Sequence, residues 1–469
     1  MVQSTRGLHG LPAVRASLPT SPDEIYQTGT QVPFCGRPDG SVPSIMDTKR
    51  ALSVLITLVF CAACSASDPG APTTAFSGAT VWDGTGTAAR ANATLFVREG
   101  RIVGVSSDGT IPEGADVVET IDLSGRYVVP GLINAHGHVS GLWADDAVVN
   151  EVDRVRGDLD LFARYGVTTV NSLGDTEAVL SARDAATPTD PRARLFAAGP
   201  VIAASDPAQA RADAQANVDA GVDWLKLRVD DNLGSATKMP WDAVQAVLDV
   251  ANEHDLRLAT HLFYLEDGKR LLDMGTSMVA HSVRDVDVDE EFLSMLRDTG
   301  VCYVPTLTRE VSTFVYGERP DFFDDPFFQQ HAHVGEVARV SEPAFMERMA
   351  SSRAAEGYRA ALEVALRNVK AVSDAGLQVA MGTDAGPAGR FPGYFEHMEL
   401  WMMGHAGLTP EQVLMSATSV AAACLELGDR GVLVPGMWAD FMVLTENPLD
   451  DLENTRSLEQ VYVAGQPVR

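Results

Sequence analysis

The chain has 469 residues, 45% of them hydrophobic and 21% charged, enough for several domains or for one large α/β barrel with additions. Its 64 acidic residues outnumber 36 Lys and Arg, giving a formal net charge of −28. A surface that negative repels phosphate backbones and anionic lipid, which excludes nucleic-acid binding as its task.

Residues 1–45 are rich in Pro, Gly, Ser and Thr without apolar periodicity, and read as a disordered leader or as sequence upstream of the true start. Residues 46–66 follow the order of an export signal: Lys49 and Arg50, an apolar run over 51–63, then small residues around Cys64. That run is shorter than the ~20 residues a bilayer span needs. Cys64 after Ala62-Ala63 fits lipoprotein processing, with ordinary cleavage near Ala66 as the alternative. The expected location is the periplasm or the bacterial cell envelope, with a lipid anchor at Cys64 as the only membrane contact. Only Cys302 and Cys424 fall in the mature body, and both are expected to be small buried apolar side chains without a disulfide framework.

Residues 73–130 alternate and turn often, in short β segments broken by Gly, Asp-Gly and Pro, and 426–469 returns to this style. The two ends are expected to form one split β-sandwich domain. Between them, over 131–425, β-type runs alternate with Ala-rich amphipathic segments, with clear helices at 242–254 and 356–375. Eight candidate strands lie at 128–133, 167–173, 194–202, 224–229, 257–263, 277–283, 302–307 and 378–383. The fold class is therefore α/β, a (β/α)8 TIM barrel, with its chemistry at the C-terminal strand ends.

The chemically informative residues sit at those ends. Strand 1 runs into Asn134-Ala135-His136-Gly137-His138, and the two-residue period puts both imidazoles on one face. Lys226 lies on strand 4, His261 and His281 end strands 5 and 6, and Asp384 follows strand 8. The intervals fit whole ~30-residue units, given an insertion over 317–343. Four imidazoles and a carboxylate suit Zn2+ or a similar borderline divalent ion. Each residue also has a plainer reading. The histidines could be core side chains, Lys226 a substrate-binding cation or an ion-pair partner of Asp223 or Asp230, and Asp384 a helix N-cap. His331 and His333 lie in the insertion, His254 near a helix end, His397 and His405 around the helix after strand 8, and His9 in the leader; none is read as a ligand.

The segments VVPGLINAHGHV, YGVTTV, GVDWLKLR, ATHLFY, VAHSVRD, MGTDAG, GLTPEQVLMSAT and VPGMWADFMVLTENPL, in this order, resemble the amidohydrolase superfamily, in its imidazolonepropionase-like and prolidase-like branch. The resemblance runs from about Phe76 to the end, with Asn134 standing where the family usually has Asp. It implies a CO2-derived carbamate on Lys226 bridging two divalent ions, the first held by His136, His138 and Asp384, the second by His261 and His281. It also implies metal-activated water attacking an amide, with Asp384 as the general base.

The implied substrate is a small amide such as an Xaa-Pro dipeptide or an N-acyl amino acid, and homo-oligomers are compatible with this reading. Tyr264, Arg284, Tyr303 and Arg309 are the candidate substrate contacts, because they lie on or just after strands 5, 6 and 7. An arginine there can clamp a carboxylate; surface pairing with Asp285 or Glu310 is the rival reading. The 314–345 stretch, with its aromatics and acids, is a candidate lid. Opening of a cyclic amide or lactone, with one metal and no carbamate, is the alternative reaction, and a non-catalytic interaction protein on the same scaffold is the alternative class.

Overall fold

The computed structural model describes residues 71–145 and 147–469; the expected leader, export signal and Cys64 lie outside the described residues. The N-terminal β segments are β1 (Pro72–Val81), β2 (Arg90–Arg98), β3 (Arg101–Ser106), β4 (Asp116–Asp122) and β5 (Tyr127–Pro130). Barrel strands follow as β6 (Leu132–Gly137), β7 (Val167–Ser172), β8 (Arg194–Ala197), β9 (Trp224–Arg228), β10 (Arg257–His261), β11 (Met278–Ala280) and β12 (Cys302–Val304). The chain ends with β13 (Phe441–Leu444), β14 (Leu458–Val463) and β15 (Gln466–Pro467).

The two ends meet because β13 pairs antiparallel with β5, Phe441 opposite Pro130 and Leu444 opposite Tyr127. The expected sandwich is joined into one hydrogen-bonded sheet of eight strands, since β1 is long enough to carry β2 on one edge and both β4 and β5 on the other. Strand alternation gathers Phe76, Leu95, Val128, Phe441 and Tyr462 into its core, where the Phe441 and Tyr462 rings stack at 4.7 Å.

The apolar run 128–133 is not one strand, which corrects the sequence reading. Its hydrogen-bond partners change midway: Gly131 N–H donates to Asp440 O, whereas Leu132 N–H donates to Gly166 O. The first half therefore belongs to the terminal sheet and the second half to the barrel.

In the barrel, β6, β7 and β8 pair in parallel, as do β9, β10, β11 and β12. A bridge between Ile202 and Leu227 joins the two groups, and one between Tyr303 and Val379 adds the eighth stave. That stave, 378–383, returns to β6 through Ala135 N–H to Met381 O (2.9 Å) and Thr383 N–H to His136 O (3.0 Å), which closes the ring. The staves at 194–202 and 378–383 are regular only in part or not at all, because isolated bridges replace continuous ladders there. The helices Trp241–Glu253 and Arg353–Asp374 occupy the places expected for them.

Alternation assigns the faces. On β9, Leu225 and Leu227 join the outer helix-packed core, while Trp224 joins Ile133, Ala135, Ala259, Ala280 and Val304 inside. On β12 the outward residue is Tyr303, whose hydroxyl accepts from Val283 N–H at 3.0 Å and whose ring packs near Phe292. Tyr303 thus faces the helices and is not a substrate contact, contrary to the expectation from its place on strand 7.

Cys302 faces inward and meets Cys424, the last residue of the helix Ser419–Cys424, in a disulfide with Cα atoms 5.8 Å apart and a sequence separation of 122. The expectation of two isolated thiols is therefore corrected: a helix packed against the N-terminal end of the barrel brings together cysteines that no local pattern connects. A cross-link closing so long a loop restricts the unfolded chain strongly. The double variant Cys302→Ser/Cys424→Ser is expected to lose about 2–4 kcal/mol of unfolding free energy, read from denaturant unfolding against the oxidised protein; coincident curves would contradict a stabilising disulfide.

Candidate metal centre

Six side chains from four strand ends and the loop after the eighth stave converge. The Nε2 atom of His138 lies 2.6 Å from Asp384 Oδ1, and that of His136 lies 3.7 Å from the same oxygen. Ligand atoms of these three residues all fall within 4.8 Å of one another. Lys226 Nζ is 3.2 Å from His136 Nε2. The His281 ring stands 4.6 Å from that of His136 and 4.1 Å from that of His261, which completes the group.

Local backbone geometry serves this gathering. His281, Thr306 and Asp384 end their staves with φ of +133°, +51° and +57°, a region that non-glycine residues enter at a cost. Asp384 is turned toward the histidines because its N–H and that of Thr383 both donate to His136 O. The glycines of MGTDAG permit this approach: a Cβ on Gly382 would strike Val304 and the His136 backbone, and one on Gly386 would strike the His138 carbonyl.

Burial sets the charge state. His136, His281 and Lys226 are at most 2% exposed. Burial, reinforced by nearby cations, holds the His136 and His281 imidazoles well below their usual pKa, and burial lowers His261 to about 3 against the pull of Asp230. Burial pushes the Asp384 carboxyl up, but Arg390 and His138 together hold it well below the carboxylate range. Burial lowers Lys226 to about 7, with Asp384 opposing. At neutral pH His136, His261 and His281 thus offer neutral imidazoles with free lone pairs and Asp384 an ionised carboxylate, donors of the kind a divalent cation requires. The buried Nδ1 of His136 has no hydrogen-bond partner.

Neither plain ion-pair reading of Lys226 is realised: Asp223 is paired with Arg183 and Asp230 with His261. Among the described residues, no carboxylate forms an ion pair with Lys226 Nζ.

Several participants are given no role toward the ligands in the sequence reading above. Asp230 accepts from His261 Nε2 at 3.0 Å; it shares a period of two with Lys226 and Arg228, a signal that is legible. Arg390 ion-pairs with Asp384, and nothing local marks it. Behind the ligands, Asn134 Oδ1 accepts from His136 N–H (3.0 Å) while its Nδ2 donates to Thr383 Oγ1 (2.9 Å) and Glu396 Oε1 (2.6 Å). Glu396, fully buried, also accepts from Thr383 Oγ1 and Gly393 N–H. An amide at 134 can donate to this buried acid, which an ionised aspartate could not. That is the physical sense of Asn at this position.

Tyr264 stands at the rim with its hydroxyl donating to Asp231 (2.9 Å) and its ring under Lys238. Arg284 and Arg309 both pair with Glu310, one of the two acids the rival reading named, but the pairing is buried and not at the surface. The 314–345 insertion forms short helical turns whose Tyr316, Phe323 and Phe328 cluster with Trp143 and Phe391, next to the loop that follows Asp384. Among the other histidines, His333 caps the helix Val334–Val340, and His397 is bonded to Thr455 and the Tyr165 carbonyl. His331 packs on Tyr165, His254 and His405 sit at helix C-termini, and His9 lies outside the described residues.

Glu396→Ala strands three donors at once. It is expected to destabilise the fold by about 1–3 kcal/mol per unsatisfied buried group and to weaken metal retention, read by chemical denaturation and elemental analysis; unchanged stability would show that the network carries no load.

The sequence profile of the Amidohydrolase family matches residues 127–468. An imidazolonepropionase of Deinococcus radiodurans is 25% identical over 399 residues, spanning 80% of this chain and 91% of that protein. One from Deinococcus deserti is 39% identical over 99 residues, which are 20% of this chain and only 25% of the relative's length. Among solved structures, a candidate prolidase from Bifidobacterium longum superposes with a TM-score of 0.67 at 25% identity, covering 85% of this chain and 94% of that one. An Xaa-Pro dipeptidase with bound methionine gives 0.67 at 20% identity, covering 84% and 99%. With the profile spanning most of the chain and the strand-end constellation in place, the protein is a member of the amidohydrolase family.

Proposed function

We propose that the protein hydrolyses a peptide-like C–N bond in a dipeptide or an N-acyl amino acid, with two divalent ions, preferably Zn2+, as cofactors. The observation that carries this reading is the buried lysine without an acid partner, set among four imidazoles and one ionised carboxylate. A lone ammonium in such a place would be costly. An amine that loses a proton and forms an N–C bond to CO2 becomes a carbamate with two oxygens, which is a reason for Lys226 to stand there.

In this reading His136, His138 and Asp384 would hold one ion and His261 and His281 the other, with the Lys226 carbamate as a further oxygen ligand. When bound, the ions polarise the substrate carbonyl and make water acidic enough to attack near neutral pH. Arg390 keeps Asp384 ionised, so that Oδ1, which faces His136 and His138, can accept the proton of the attacking water and return it to the leaving nitrogen. Asp230 orients His261, and Thr306, 2.6 Å from His281 Nδ1, orients His281.

The imidazolonepropionase relatives favour a second reading, the opening of a cyclic amide with one metal and no carbamate. The complete set of donors speaks against a non-catalytic scaffold. We further propose export to the periplasm or cell envelope, supported by the basic-apolar-small order of residues 46–66 and by the Cys302–Cys424 disulfide, a bond at home in oxidising compartments.

Elemental analysis of the purified protein is expected to find two metal equivalents, while one equivalent would favour the cyclic-amide reaction and none would sink both. In a screen of dipeptides, N-acyl amino acids and cyclic amides, Asp384→Asn is expected to lower kcat by about 10²–10⁴-fold. Lys226→Ala is expected to lose a metal equivalent and the carbamate carbon signal obtained with labelled bicarbonate; a Lys226→Ala protein that keeps both metals would remove the bridging role.

A further inference from the structure

Arg390 joins Asp384 twice, Nη1 donating to Oδ2 and to the main-chain oxygen (3.2 Å), while its Nε donates to Ser312 Oγ (3.2 Å). With Oδ2 taken, Oδ1 is left facing His138 and His136. The aim of the carboxylate therefore depends on where Arg390 stands. Arg390 belongs to a short turn, in which Gly386 N–H donates to Arg390 O and Arg390 N–H donates to Pro387 O, both at 2.9 Å. Those bonds fix the shape of the turn, not its place against the barrel.

The place comes from the 314–345 insertion. Gly389, the residue before Arg390, has both backbone groups engaged by it: its N–H donates to Glu336 Oε1, and its carbonyl accepts from the Tyr316 hydroxyl. Gly389 is left-handed, with φ of +80°, and a Cβ there would press on the Tyr316 ring at 3.3 Å. Glu336 is 5% exposed and is held in turn by Arg339, whose Nε and Nη2 donate to its two oxygens at 2.7 and 2.6 Å. Its helix, Val334–Val340, is capped by His333, whose Nδ1 accepts from Glu336 N–H (3.1 Å) and whose ring meets that of Trp143 at 6.0 Å. Trp143 Nε1 donates to Gly386 O (2.6 Å), so the turn is gripped at both ends. An acid is costly to bury, and a helix that only covered the barrel would place an apolar side chain there.

We infer that Glu336, helped by Tyr316, is a positioning residue for the hydrolysis proposed above: by fixing Gly389 it sets Arg390, and Arg390 aims the Asp384 carboxylate. The inference rests on that hydrolytic reading and gives the insertion a task beyond covering the site. Glu336 acts through Arg390 and not on the reacting atoms itself.

The test is a double-mutant cycle on the metal-loaded enzyme with a substrate from the screen. Glu336→Ala is expected to lower kcat by about 10–10²-fold, what a displacement of up to about 1 Å costs, with KM unchanged. Glu336→Gln, which keeps an oxygen for the Gly389 N–H, is expected to restore most of that loss. Arg390→Met is expected to lower kcat as well, and Glu336→Ala added to it to lower kcat no further. Additive losses, or a Glu336→Ala enzyme that is less stable but turns over at the wild-type rate, would overturn the relay in favour of a purely structural insertion. Should Glu336→Ala fail to fold, Tyr316→Phe removes a single hydroxyl from the same grip; a lower kcat supports the relay and an unchanged one refutes it. If nothing is hydrolysed, the hydrolytic reading fails on its own, and amide hydrogen exchange still decides. Exchange at Asp384 faster by about 10-fold in Glu336→Ala, the scale of one hydrogen bond to a charged group, supports the relay, and a change confined to Gly389 refutes it.

Discussion

The carbonyl of His136 accepts two backbone hydrogen bonds from the far side of the barrel, one from Thr383 and one from Asp384. This seam is where the last stave meets the first, and the rest of the site depends on it. It brings a carboxylate 246 residues beyond His138 in sequence against the His136 and His138 imidazoles. It also demands glycine at 382 and 386, and it holds Asp384 in a left-handed conformation that only a rigid surround sustains. Closure of the ring and assembly of the candidate metal centre are one event.

Around that seam, the inside of the barrel is layered. Apolar side chains such as Trp224, Ile133 and Val304 fill the lower part, and the candidate metal ligands stand above them at the strand ends. The packed floor is what desolvates Lys226, His136 and His281, and desolvation is the main cause that lowers the pKa of each. Behind the ligands the same dry environment requires every polar atom to have a partner, which Asn134, Thr383 and Glu396 supply to one another. Exceptions among the described residues include His136 Nδ1 and donors of Arg284 and Arg309.

How much of this is legible in the sequence depends on the range of the signal. The two-residue period of His136 and His138, and the ends of apolar runs at His261, His281 and Asp384, identify strand-end ligands because strand geometry is local. Asp230 follows the same period and is within reach of the same reasoning. Arg390 and Glu396 are not: each lies in a loop or helix whose own pattern says nothing about which strand end it will face. Tyr303 misleads because nearness to a strand end does not reveal its outward phase. The run 128–133 misleads because hydrophobicity is continuous across a point where the hydrogen-bond partner changes.

The sequence by itself determined the α/β class, the alternation of strands and helices, and the residue types that can bind a metal, since all of these follow from short-range periodicity and side-chain chemistry. Only the tertiary structure decided which donors share a centre, that Cys302 joins Cys424, and that among the described residues no carboxylate ion-pairs with Lys226 while two buried arginines share one. Those outcomes are set by ring closure and by burial, which involve segments hundreds of residues apart and leave no trace in any local window.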